Sequence, residues 1–148
     1  MQGAFQSGDP LPTLTGYSAK DRQPRRWNDY LKKPFGLILS LSTHCSTCRS
    51  VAAELTGKAS EVQDDISIIV LVEGKAEEAE SFISKAQLDR HLVIIDEEGT
   101  TAQTIGAPWT PAAITVRNGK LGEAAVIDNI DQLGALLPIK EEEDAILG

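Results

Sequence analysis

The sequence predicts a three-layer α/β domain, with a central mixed sheet and helices on both faces. Short apolar runs of strand length alternate with segments whose apolar residues recur at helical spacing. Asn118-Gly119 joins two further strand-like runs into a hairpin, an antiparallel edge on a sheet expected to be mainly parallel. A chain of 148 residues at 41% apolar composition suits one domain with a real core, and not comfortably two.

Taken in order, the opening carries Gly8-Asp9-Pro10-Leu11-Pro12, whose prolines favour extended backbone and exclude helix. Leu14 and Tyr17 fit a short edge strand, and residues 27–31 a helical turn before Pro34. Phe35 to Leu41 reads as a buried strand. From Ser46 to about Val62, Cys48, Val51, Ala52, Leu55, Ala59 and Val62 trace one face of a helix. Ile66 to Val72 is a second buried strand. Ala76, Ala79, Phe82, Ile83 and Ala86 then mark a helix that turns Glu77, Glu78 and Glu80 outward.

Leu92 to Ile95 is a third strand, and a short helix is expected over Thr101 to Ile105. Ala112 to Val116 and Leu121 to Ile127 form the hairpin, and Ile130 to Leu137 a last helix stopped by Pro138. Strand–helix alternation implies right-handed crossovers and helices on both faces. The domain is therefore placed over residues 1–137, with 1–34 an extended and edge segment. Residues 138–148 read as a solvated acidic tail.

The net charge is −8, unevenly spread. Residues 20–33 hold six basic against two acidic side chains, and from residue 34 onward 8 basic face 19 acidic. That is a poor surface for nucleic acid, which rewards clustered Lys and Arg. The basic stretch is read as a solvated surface segment, with acidic lipid or an acidic partner as the other reading. No run approaches the roughly 18 apolar residues of a membrane span, and no signal-peptide core opens the chain. Either a cytoplasmic protein or a soluble part with its targeting segment removed fits.

Two cysteines, Cys45 and Cys48, sit three apart where a buried strand hands over to a helix. A scaffold of disulfides would need more of them, and so small a loop adds little stability by chain entropy. Unpaired N–H groups and the macrodipole at a helix start favour negative charge. Cys45 is thus the expected thiolate nucleophile, and Cys48, one turn in and on the buried face, the resolving thiol. Three plainer readings compete: two core cysteines, half a zinc site, and a structural short disulfide. The zinc reading is weak, because only His44 and His91 could complete a tetrahedral set.

From about Gly8 to Leu137 the chain resembles the thioredoxin-like TlpA, ResA and MauD proteins, a bacterial group. The resemblance rests on the Gly8–Pro12 opening, Cys45-Ser46-Thr47-Cys48, and an extra helix–strand unit over 75–95. It rests also on Gly106-Ala107-Pro108-Trp109-Thr110-Pro111 before the hairpin. It implies a three-layer thioredoxin-like fold and thiol–disulfide exchange with protein cysteines, without cofactor or metal. It further implies an upstream electron donor and a place outside the cytoplasm, membrane-anchored or periplasmic, with the tether beyond this chain. Reduction of apocytochrome cysteines, or help in forming partner disulfides, is the implied work.

By the same resemblance Pro111 follows a cis bond and faces the cysteines, so that Thr110 could pair with an incoming chain; alternatively Pro108 and Pro111 only shape a loop. Trp109 is either a docking aromatic or simply packed. Three departures stand out: His44 before the first cysteine, a Ser46-Thr47 spacer without proline, and apolar Leu39 and Val51 where relatives carry a buried acid. Glu54 is the nearest carboxylate on the helix, so no proton acceptor for Cys48 is evident. His44 either stabilises the Cys45 thiolate as an imidazolium or takes no part, since adjacent side chains point apart in extended backbone. The rival function is a redox-inactive module that holds an extended segment at the Pro111 loop.

Overall fold

The computed structural model describes residues 15–19, 21, 23–27, 31, 35–59, 66–88, 91–96, 100–105 and 110–135. The elements are β1 (Thr15–Tyr17), β2 (Pro24–Arg26), β3 (Phe35–Ser42), α1 (Ser46–Ala59), β4 (Ile66–Glu73) and α2 (Ala76–Ala86). They continue with β5 (Leu92–Asp96), α3 (Thr100–Thr104), β6 (Ala112–Arg117), β7 (Lys120–Val126) and α4 (Ile130–Gly134). The Gly8–Pro12 opening, Pro108, Trp109 and the acidic tail lie outside the described residues.

Five strands form one sheet in the order β5-β4-β3-β6-β7. The β3–β4 and β4–β5 pairs are parallel, while β3–β6 and β6–β7 are antiparallel. The sheet is therefore evenly mixed, not mainly parallel. Alternation of strand and helix reports periodicity but not direction, and β6 enters antiparallel to β3 after the five-residue α3.

Strand periodicity divides the core into two faces. Leu37, Leu39 and Leu41 of β3, with Ile68, Val70 and Val72 of β4, point to the face that carries α1, α2 and Leu133 of α4. Ile38, Ile69 and Leu71 point the other way, onto Trp27, Leu31, Ala102 and Ile105. Leu39 has no exposed surface, so its truncation to Ala should cost about 2–5 kcal/mol. At the hairpin tip Asn118 and Gly119 hold φ of 53° and 80°, the left-handed geometry that matches the twist of flanking strands.

The basic stretch is more than a solvated run. Thr15 to Tyr17 pairs antiparallel with Pro24 to Arg26. Ser18 bridges Ile94, and the Ala19 N–H donates to the Val93 carbonyl at 2.8 Å. This ribbon thus lies along the outer edge of β5. In the basic run Pro24 and Arg26 are exposed and Arg25 partly so, so composition described that surface correctly but concealed the strand.

Candidate active site

The site forms where β3 ends. Its pairing with β4 is prolonged by the Thr43 N–H, which donates to the Glu73 carbonyl at 3.1 Å. Two donors then close a tight turn on Ser42: the His44 N–H reaches its hydroxyl at 3.2 Å and the Cys45 N–H its carbonyl at 3.4 Å. Across from this turn, Gly74 has φ of 153°, and a Cβ there would stand 2.6 Å from Thr43 Oγ1. The absent side chain of Gly74 is what lets the cysteine turn and the β4–α2 turn meet.

Cys45 occupies the position just before α1, and its carbonyl accepts from the Arg49 N–H at 3.2 Å. Its Sγ takes the Cys48 N–H at 3.1 Å. A sulfur here does what a capping oxygen does elsewhere, satisfying one of the free donors at a helix start.

Cys48 differs sharply. It is fully buried within the α1 face of the core. Burial pushes its thiol up to about 12, the adjacent Cys45 adds to this, and the Ser42 N–H, 3.3 Å from its sulfur, opposes it. Both cysteines are unbridged.

Register explains how a distant segment arrives. Ser40 of β3 pairs with Ala112 of β6, so the two residues before Ala112 lie beside the end of β3 that leads into the cysteines. The Thr110–Pro111 bond is cis, and the Thr110 carbonyl oxygen lies 4.0 Å from Cys45 Sγ. The Pro111 carbonyl accepts from the Ile127 N–H at 3.0 Å, which ties the segment to the end of β7. Cys45, Cys48, Thr110 and Pro111 therefore meet in one place.

His44 sits on the exposed side of the cysteine turn. Its imidazole is turned towards α2, where Nε2 lies 3.3 Å from Glu78 Oε1, and it is 74% exposed. The sequence placed Glu78 outward, which is true, but periodicity gives no sign that an outward carboxylate reaches a neighbouring loop. Thr43, Gly74 and Arg49 were likewise not singled out, because their roles come from contacts between separate elements.

Leu39 and Val51 are buried and apolar, and Glu54 is exposed on α1, so none supplies a buried acid. The buried carboxylate of Asp96 is engaged elsewhere, accepting the Thr101 and Ala102 N–H groups at 3.3 and 3.1 Å. Among the described residues no cluster of three or more His, Cys, Asp or Glu could hold a metal ion, and no helix is long and apolar enough to cross a membrane.

No family model and no curated sequence matches the chain. Solved structures do. A Mycobacterium tuberculosis DsbF superposes with a TM-score of 0.73 at 15% identity, over 84% of this chain and 95% of that one. A secreted disulfide oxidoreductase of Mycobacterium tuberculosis, homologous to the Escherichia coli DsbE, gives 0.68 at 18% identity, over 83% and 92%. The thioredoxin domain of a Bacteroides vulgatus thiol–disulfide oxidoreductase gives 0.70 at 17% identity, over 90% and 99%. What these likenesses carry is architecture, and on that ground the chain has the thioredoxin fold.

Proposed function

We propose that the chain is a thiol–disulfide oxidoreductase acting on protein cysteines, with Cys45 as nucleophile and Cys48 as resolver. The observation that carries this is the asymmetry of the two sulfurs. Cys45 is accessible and accepts a helix N–H at 3.1 Å, whereas Cys48 is buried, with its thiol pushed up to about 12. The Cys45 thiolate attacks one sulfur of a partner disulfide, and the released sulfur leaves as thiolate and takes up a proton. Cys48 then loses its proton and attacks Cys45 Sγ, expelling the second partner thiol. The partner gains two electrons, and the Cys45–Cys48 pair ends as a disulfide that an upstream donor must reduce.

Thr110 offers backbone N–H and C=O groups beside Cys45, suited to pairing with an extended partner chain, with Pro111 and His44 on the rim. The direction favoured is reduction, in extracytoplasmic maturation of proteins such as cytochromes c, from an anchored or periplasmic position. The secreted Mycobacterium tuberculosis relative supports that location. Insulin reduction monitored by turbidity tests the activity. Catalysis by the reduced chain, lost in Cys45→Ser, is expected. A chain that holds insulin without reducing it would instead be a redox-inactive binding module.

A further inference from the structure

From Thr43 and His44, just before Cys45, an open groove of about 490 Å³ runs between the opening of α1 and α2. Phe82 contributes apolar surface to it, and its walls carry His44, Arg49, Glu77, Glu78 and Lys85. It adjoins the nucleophile through the chain itself, since His44 directly precedes Cys45. Arg49 stands one turn after Cys45, and its N–H donates to the Cys45 carbonyl at 3.2 Å.

The charges in this groove are not equivalent. Glu78 Oε1 lies 3.3 Å from His44 Nε2. Glu77 lies in the first turn of α2 and Lys85 in its last turn, each where the helix dipole offsets its sign. Arg49 is the exception. It lies near the start of α1, whose first turn holds no acidic residue, so the dipole opposes its charge. Among the described residues no ion pair engages it. An exposed cation held against the dipole, one helical turn from the nucleophilic cysteine, is available to a charge on a bound partner.

We propose that this groove seats the partner chain on the His44 side of Cys45, and that Arg49 selects partners with a carboxylate next to the reacting cysteine. The inference rests on the oxidoreductase reading and adds the partner's chemistry to it. Because the whole chain carries −8, long-range repulsion works against acidic partners in general. The preference therefore depends on where the carboxylate sits, not on the partner's net charge.

The test uses three short peptides, each a symmetric disulfide dimer through one cysteine flanked by Glu, Gln or Lys. Rates with the reduced protein at about 0.15 M salt are divided by rates with dithiothreitol, which removes the peptides' intrinsic reactivity. The Glu peptide should exceed the Gln peptide about two- to fivefold in second-order rate constant, the span of an exposed ion pair. Arg49→Gln should bring that ratio to one, and Arg49→Glu should turn the preference to the Lys peptide. Equal normalised rates in the wild type, or a Glu preference that survives Arg49→Gln, overturn the selection by Arg49. If the Gln peptide is not reduced at all, the oxidoreductase reading itself fails and the inference falls with it.

Discussion

The Cys48 amide donates to the Cys45 sulfur at 3.1 Å, so the resolving residue supports its partner through its backbone while its own sulfur lies buried. Burial disfavours charge on the Cys48 sulfur, whereas the Cys45 sulfur keeps part of its surface open to solvent. Cys48→Ser should accumulate a mixed disulfide through Cys45, read as an adduct by intact mass, and Cys45→Ser should accumulate little. Iodoacetamide should alkylate Cys45 first. Preferential alkylation of Cys48 would reverse the assignment.

The buried thiol also sets a pH dependence. Cys48 is raised from an ordinary 9.0 to about 12 in the folded protein, so between those values the unfolded chain has released a proton that the folded chain retains. Stability of the reduced form is therefore unaffected by this group below pH 9 and falls as pH rises towards 12. The oxidised form has no such proton. Above pH 9 the denaturant midpoint of the reduced form should fall relative to that of the oxidised form as pH rises. Midpoints that stay parallel up to pH 11 would show that Cys48 is not buried as described.

No buried acid serves Cys48 among the described residues, because Asp96 is committed to the start of α3. Resolution of the mixed disulfide should then follow the thiolate fraction of Cys48, rising about tenfold per pH unit between 7 and 9. Stopped-flow release of a chromogenic thiol from the Cys45 adduct measures it. A plateau below pH 8 would reveal a base outside the described residues.

How much of this the sequence could reveal depends on the range of the interaction. The strand from Phe35, the helix from Ser46 and the helix Ala76–Ala86 follow from side-chain periods within single segments, and they stand as read. Cys45 and Cys48 were legible for the same reason, being close neighbours at a strand–helix junction. The direction of β6, the β2 strand within the basic run, and the contact of His44 with Glu78 were not legible. Each depends on which segments become neighbours in space, and no local spacing records that.

Gly74 is a test of the second kind. Its φ of 153° and the 2.6 Å approach to Thr43 Oγ1 leave no room for a methyl group. Gly74→Ala should destabilise the fold by about 1–3 kcal/mol, read by urea denaturation. It should also slow Cys45 alkylation at neutral pH, because Thr43 must move and the turn on Ser42 moves with it. Gly119→Ala, whose site has open space, should destabilise without affecting alkylation. Equal effects on alkylation from the two variants would remove Gly74 from the support of the site.

The potential of the couple is expected nearer to that of thioredoxin, about −270 mV, than to that of DsbA, about −120 mV. Only Ser46 and Thr47 lie between the cysteines, and His44 directs its imidazole to Glu78, so neither spacer residue nor His44 supplies a cation to the thiolate. Equilibration with glutathione, read by alkylation and mass, measures it. A value above about −180 mV would make the protein an oxidant.

The ribbon along β5 has one consequence for assembly. Ser18 and Ala19 occupy part of the outer edge of that strand, while β7 ends the sheet on the other side with Val126 54% exposed. Unpaired strand edges are templates for further strands, and a sheet obstructed at one border can lengthen only at the other. Among the described residues no strand covers the outer border of β7, so two copies meeting there would use up that border of each. A fibre built by strand addition would also have to strip the ribbon from β5.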